Sequence, residues 1–301
     1  MYVITGATGH TGRGIVDRLA SQRHIVRAIG RGRERLRVLE AKGAEAYVCD
    51  LADTDELTRA FYGALAVYVM IPPTNESPDF RTYQELIGDS LATAIKEAGV
   101  THAVCLSSVG ADKSEGTGPV VGLHNLEQKL NRIGGLNVLH LRAGYFMENT
   151  FAQAGIIRAM GKAGGPLTPD LKIPMIATRD ISAIAAEELL NSEFTGKQTR
   201  ELLGQRDISM KEVAAILGKV IGRGGLQYVQ LPEDAARKAM VQFGLTRDLT
   251  DLLLEMVDAL SRGHMKALEP RSARNTTPTS YETFAMEEFL PRFQQDETLA
   301  A

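Results

Sequence analysis

The chain has no tryptophan, and cysteine occurs only twice in 301 residues, at Cys49 and Cys105. Each cysteine ends an apolar run, the setting of a buried, reduced thiol rather than of a disulfide. Neither Cys nor His recurs at metal-ligand spacing, so no metal is expected. An excess of charge is lacking as well: 34 basic against 37 acidic residues leave a formal net charge of −3. No general attraction to nucleic acid or to a membrane follows from that balance. No apolar run approaches the roughly 20 residues that span a bilayer. The first strand is expected from residue 2, with no room before it for a signal or transit peptide, so a cytoplasmic protein is expected. Repeats and low-complexity segments are absent. The composition is that of an ordinary globular protein, long enough to bury roughly three quarters of its unfolded surface.

The stretch that organises the rest is Tyr2 to Gly12. An apolar strand over Tyr2, Val3 and Ile4 is followed by glycines at Gly6, Gly9 and Gly12. A helical pattern then opens with Ile15, Val16, Leu19 and Ala20 on one face. This strand, turn and helix is the setting of a dinucleotide-binding fingerprint. Gly6 allows the tight turn, Gly9 lets a pyrophosphate approach the backbone, and Gly12 lets the helix pack on the strand. The helix start favours a phosphate through its unpaired N–H groups and dipole. Thr8 and Thr11 offer hydroxyl donors beside it.

A second strand is expected over 24–29, and one more absence stands at its end. An NAD site usually places an acid there for the ribose 2′-hydroxyl, whereas an NADP site tends to place arginine. No acid is present, while Arg31, Arg33 and Arg35 are near. NADP(H) is therefore favoured over NAD(H), with Arg31 and Arg35 as the residues for a 2′-phosphate.

Further strands are expected over 45–49, 65–71, 102–106 and 137–141, with helices over 34–42, 54–62, 79–98 and 120–133. Asp50 ends the third strand where a side chain reaches an adenine ring, and Asp53 caps the next helix. Phe80, Tyr83, Ile87, Leu91 and Ile95 make an apolar stripe on the long helix, of which Tyr83 alone is placed to face a ligand. Such alternation gives a doubly wound parallel sheet, with ligands across the carboxyl ends of its strands.

Thr5-Gly6-Ala7-Thr8-Gly9-His10-Thr11-Gly12 resembles the nucleotide fingerprint of the atypical short-chain dehydrogenases. Asp50-Leu51, Ile71-Pro72-Pro73, Leu106-Ser107-Ser108-Val109-Gly110, and the run from Leu141 through Tyr145 and Phe146 to Asn149 resemble the NmrA-like family more narrowly. So does Asn275-Thr276-Thr277-Pro278-Thr279. The resemblance implies a Rossmann domain over residues 1–149, to which 178–204 return, and a smaller, mostly helical domain over 150–301. It adds the whole turn from Gly6 to Gly12, Leu51, Ile71, Pro72, Ser107 and Ser108 to the cofactor site. The Tyr-x-x-x-Lys pair of typical short-chain dehydrogenases is missing. Val120 stands in place of the Tyr and His124 in place of the Lys. His124 is then a candidate for the nicotinamide ribose, and Tyr145 is the best remaining hydroxyl donor. With Phe146, Tyr145 would also flank the acceptor. A quinone accepts hydride with little help from an acid, which makes the loss tolerable for such an acceptor.

The second half carries no comparable motif. Helices are expected over 149–160, 179–190, 209–217, 233–243 and 246–262, a strand over 199–203, and a mobile loop over 161–174. Ser209 with Glu212, and Thr279 with Glu282, are expected to form capping boxes. The tail from Gln294 is expected to fray. Two readings remain at this point. One is an NADPH-dependent reductase of a quinone-like or other electron-poor aromatic acceptor. The other is a cofactor-binding, redox-sensing regulator with a protein partner and no turnover. A homodimer is left open.

Overall fold

The computed structural model describes residues 1–295 in full and the backbone of 296–300. The fraying expected from Gln294 falls mainly on 296–301, whose side chains lie outside the described residues. The central sheet has seven parallel strands: β1 (Tyr2–Ile4), β2 (Val26–Gly30), β3 (Glu45–Val48), β4 (Ala66–Val69), β5 (His102–Ser108), β6 (Asn137–Ala143) and, after three short strands outside this sheet, β10 (Lys197–Leu202). Their order is β10-β6-β5-β4-β1-β2-β3. The chain runs outward from β1 through β2 and β3, then crosses to β4 and runs the other way. This reversal opens a crevice above the carboxyl ends of β1 and β4.

Alternation along the strands builds two cores. Val3, Ile29, Val67, Val69 and Cys105 face α3 (Thr54–Phe61), α4 (Phe80–Glu97) and α5 (Val120–Asn131) through Leu57, Ile87, Leu91, Ile95 and Leu126. Ile4, Ala28, Tyr68, Val104 and Leu139 face α1 (His10–Ser21), α2 (Arg33–Glu40) and α7 (Thr178–Asn191) through Ile15, Leu19, Leu36, Ile181 and Leu189. A slip of one residue would exchange the two faces, so the register is strongly specified. Helix α7 lies on α1, where Ser182 Oγ donates to the carbonyl of Thr11 at 2.9 Å. Strand β10, which follows α7, pairs with β6 in parallel from Lys197 to Leu202.

The remaining chain forms a smaller unit over the carboxyl edge of the sheet. It holds β7 (Tyr145–Phe146), a 3-10 turn (Met147–Ala152), α6 (Gln153–Met160), β8 (Ala163–Gly165), β9 (Ile173–Ile176), β11 (Asp207–Ile208), α8 (Met210–Val220) and β12 (Tyr228–Gln230). Helices α9 (Glu233–Gln242), α10 (Arg247–Ser261), α11 (Tyr281–Phe284) and α12 (Leu290–Ala300) complete it, with a π-turn (Ala285–Phe289) joining the last two. Its core gathers Met147, Ile157, Met175, Val213, Leu217, Phe284 and Phe289.

Two local expectations are corrected here. The stretch 161–174, expected as a mobile loop, carries strand pairing near both ends: β8 pairs with β12, and β9 pairs with β7 and β11. A Cβ on Gly165 would lie 2.9 Å from Tyr228 Oη, so glycine leaves room there for the Tyr228 side chain. The cap of α11 is Ser280, which accepts from Thr283 N–H at 3.0 Å, and not Thr279. The Thr279 hydroxyl instead donates to Asp180 at 2.7 Å. The Ser209–Glu212 box forms as expected, with both reciprocal bonds present. No helix among the described residues is long and apolar enough to cross a membrane.

Candidate active site

At two positions of the glycine turn, Gly6 and Gly12, a side chain would strike its surroundings. Gly6 has φ of +59°, in the left-handed region, where an L side chain is strained. A Cβ on Gly12 would lie 2.4 Å from the Gly6 carbonyl oxygen, so only glycine lets α1 start this close to β1. Gly9 caps α1 without a side-chain bond, and no acid occupies the first turn. The helix start is therefore open to an anion.

Beside this turn lies a cavity of about 230 Å³ lined by Gly6, Thr8, Gly9, Gly30, Arg31, Arg35, Cys49, Asp50, Leu51, Pro72 and Tyr83, among others. Arg33 pairs with Glu40 and Arg37 with Glu34, both at 2.8 Å. Among the described residues Arg31 and Arg35 pair with no carboxylate. Tyr83 Oη donates to the carbonyl of Pro72 at 2.9 Å. Burial raises the pKa of that phenol, and the nearby Arg31 guanidinium partly offsets the rise. Burial also pushes the Cys49 thiol up to about 12, helped by the carboxylates of Asp53, Glu56 and Asp50, so it is no nucleophile at neutral pH.

Met70 and Pro73 line both this cavity and a larger one of about 620 Å³. The larger space opens over the ends of β5 and β6. Its wall is mainly apolar, with Ile71, Phe80, Leu106, Val120, Leu123, Phe146, Met256, Leu260 and Met265. Ser107, Ser108, Tyr145, Asn149 and Gln84 supply its neutral polar groups. Ser107 Oγ donates to Glu127 at 2.5 Å, and Arg142 clamps the same carboxylate through Nε at 3.0 Å. Glu127 is 1% exposed, so this charge is compensated inside the protein. The Ser108 hydroxyl donates to the carbonyl of Val109 at 2.9 Å. Burial pushes the Tyr145 phenol up to about 12, against a hydrogen bond from Asn149 that favours its ionised form.

The residues singled out in the sequence therefore divide. Gly6, Thr8, Gly9, Arg31, Arg35, Asp50, Leu51 and Pro72 line the smaller cavity, and Ile71, Ser107, Ser108, Tyr145 and Phe146 the larger. Ala7 is buried under the turn. His10 is exposed at the first position of α1. Thr11 turns its hydroxyl inward, where it accepts from Tyr68 Oη at 3.0 Å. His124 borders neither cavity; its Nδ1 bonds the carbonyl of Ala111 at 2.8 Å and ties α5 to the loop after β5. The sequence reading missed Gln84, Lys172 and the wall from Met256 to Ala267, which no local pattern marks.

These features define a protein of the Rossmann class, with a helix-rich unit over the carboxyl edge of its parallel sheet. The chain belongs to the NmrA-like family, whose model matches residues 2–290, as the ordered motifs had implied. It is 28% identical over 256 residues to an NAD(P)H azoreductase of Xenophilus azovorans, covering 85% of this chain and 86% of that protein. It is 30% identical over 241 residues to a (4-alkanoyl-5-oxo-2,5-dihydrofuran-3-yl)methyl phosphate reductase of Streptomyces griseus, covering 80% of each. An NADPH-dependent quinone oxidoreductase of Escherichia coli, solved with NADPH, shares the fold with a TM-score of 0.75 at 22% identity over the full length of both chains.

Proposed function

We propose that the protein is an NADPH-dependent reductase of a quinone-like or other electron-poor aromatic acceptor. The observation that carries this is that the two cavities adjoin, with Met70 and Pro73 in the walls of both. The smaller is suited to an adenosine phosphate, and the larger is a mainly apolar chamber in the size range of pockets for drug-sized ligands. Two of the relatives point the same way, since they bear names of reductases, one of them an NAD(P)H azoreductase.

The cradle fits the cofactor: Gly9 caps α1 with no side chain and no acid follows in the first turn, and Arg31 and Arg35, without a carboxylate partner among the described residues, line the smaller cavity. When bound, the nicotinamide supplies the hydride. The chain's part is binding and orientation. The backbone N–H groups of Thr8 and His10 would hold the pyrophosphate, the Gly9 N–H being given to the Gly6 carbonyl at 2.9 Å; Arg31 and Arg35 would hold the 2′-phosphate, and Asp50 and Leu51 would flank the adenine. Ser107 and Ser108, at the end of β5, border the reacting face. Tyr145 and Phe146 pack the acceptor ring and exclude water from it. The Tyr145 phenol stays protonated at neutral pH, with its pKa near 12, and so remains a hydrogen-bond donor rather than a base. His124, spent on Ala111, takes no part in this reading.

The test is a fluorescence titration of the purified protein with NADPH and with NADH, followed by a panel of quinones. The expected result is tight NADPH binding and rapid loss of the reduced cofactor. Tight binding with no oxidation across the panel would overturn the reductase reading in favour of a cofactor-binding regulator.

A further inference from the structure

The wall of the larger cavity contains three charged residues, Lys172, Asp207 and Lys266. They come from distant parts of the chain: Lys172 precedes β9, Asp207 opens β11 and Lys266 follows α10. Asp207 is already matched. Arg271 forms an ion pair with it and also donates to the carbonyls of Gly204 at 2.6 Å and Leu203 at 3.1 Å. Among the described residues neither Lys172 nor Lys266 pairs with a carboxylate, and both are exposed. The chamber therefore has an apolar body and two uncompensated cations in its wall.

We propose that the acceptor carries an anionic group, a sulfonate, carboxylate or phosphate on a flat apolar ring system. Lys172 and Lys266 receive the anion while the ring lies among Phe80, Val120, Leu123, Phe146 and Met265. This rests on the larger cavity being the acceptor site of the reductase. Two exposed cations in one cavity wall attract an anion over about a Debye length and speed its entry, while the apolar wall holds the ring. A neutral acceptor of the same ring gains only the second contribution. A solvated lysine pair with no ligand is the plain alternative, and it predicts no difference between charged and neutral acceptors.

The test compares ortho-naphthoquinone with its ring sulfonate, using the NADPH-loaded full chain. Three proteins are measured: wild type, the double variant Lys172→Gln with Lys266→Gln, and the double variant Lys172→Arg with Lys266→Arg. Both lysines are exposed, so folding is not at risk. In the wild type the sulfonate is expected to have the lower KM, and the advantage is expected to shrink with added salt. In the glutamine variant the KM for the sulfonate rises by about three- to tenfold, the range for two exposed ion pairs. The kcat/KM for the neutral quinone and the affinity for NADPH stay as in the wild type, and the arginine variant keeps the sulfonate preference. Equal effects on both acceptors, or no sulfonate preference in the wild type, would overturn the proposal.

A second readout separates it from the reductase reading. Binding of a fluorescent anilinonaphthalene sulfonate, which accepts no hydride, is measured on the same proteins. If neither quinone is turned over, the reductase reading fails by itself. The anion site then stands if the glutamine variant binds the dye about three- to tenfold more weakly, and falls if the dye binds all three proteins alike.

Discussion

Oε1 of Glu201 lies 2.9 Å from the backbone nitrogen of Leu268, and its other oxygen accepts from Glu269 N–H at 2.9 Å. Glu201 is 2% exposed, at the inner end of β10. The segment it grips continues directly from Met265, Lys266 and Ala267, which line the larger cavity. A carboxylate of the sheet thus fixes one wall of the chamber. Replacing Glu201 with Ala leaves those N–H groups without their acceptor, at a cost of about 1–3 kcal/mol. The expected outcome is a lower Tm and a KM for the acceptor raised by about threefold or more, with NADPH affinity unchanged. Glu201→Gln, which keeps one carbonyl oxygen, should recover part of both. Thermal melts and steady-state kinetics check this; a drop in Tm with an unchanged KM would show that the wall does not depend on the clamp.

Gly9 and Gly12 separate binding from folding. A Cβ at Gly9 comes within 3.3 Å of the Gly6 oxygen, a tight contact that small adjustments relieve. At Gly12 the same atom would lie 2.4 Å from that oxygen and 2.9 Å from Ala7 Cα, all backbone, so α1 itself must move. Gly12→Ala is therefore expected to cost about 1–3 kcal/mol, the range for overpacking a core. Gly9→Ala should melt near the wild-type temperature yet lose most of its NADPH affinity, because the methyl stands where the pyrophosphate approaches. Paired melts and cofactor titrations decide; wild-type binding by Gly9→Ala would mean that the turn holds no phosphate.

Much of this was legible from local pattern. Short apolar runs assigned β1, β4 and β5, because both faces of these strands are covered by helices, as Val67 and Tyr68 are on adjacent positions. The Ser209 cap was legible because both of its partners sit within one turn. What escaped depends on distant partners. β8 is three residues long with two glycines, and only its pairing to β12 makes it a strand. Thr279 was displaced as a cap by Asp180, which is 99 positions away. His124 was aligned with a lysine by spacing alone, and the carbonyl of Ala111 decides where its ring goes. The wall from Met256 to Ala267 carries no pattern of its own, since its role comes from where α10 ends.

His140 predicts an acid limit to stability. It lies on β6 at 2% exposure, with Nε2 on Asn131 Oδ1 at 2.9 Å. Burial lowers its pKa from the ordinary 6.5 to about 4, the nearby Glu127 carboxylate only partly opposing this. In the unfolded chain the ring takes up a proton near 6.5, whereas in the folded chain it stays neutral until about 4. Between those values the unfolded state binds more protons, so stability is full above 6.5 and falls as pH falls toward 4. The loss from this one group is on the order of 3 kcal/mol. His140→Gln keeps a donor for Asn131 and has no such titration. Its urea-unfolding free energy should vary less between pH 7 and pH 4 than that of the wild type; parallel curves would place the acid sensitivity elsewhere.

Cofactor choice should turn on which arginine is free. Arg33 and Arg37 are engaged by Glu40 and Glu34, whereas Arg31 and Arg35 border the smaller cavity with no carboxylate partner among the described residues. A 2′-phosphate would gain a charge-assisted bond of about 1.5–3 kcal/mol from either, which corresponds to about ten- to a hundredfold in affinity. Arg31→Ala should therefore weaken NADPH by that factor and leave NADH nearly untouched. Arg33→Ala, removing a cation of the same helix start that already has its partner, should affect neither cofactor. Added salt should erode NADPH affinity more steeply than NADH affinity in the wild type, and this difference should shrink in Arg31→Ala. Titrations of both cofactors against the three proteins measure it. Equal losses of NADPH and NADH in Arg31→Ala would assign that side chain to a part of the cofactor common to both, and the 2′-phosphate would then have no holder at the end of β2.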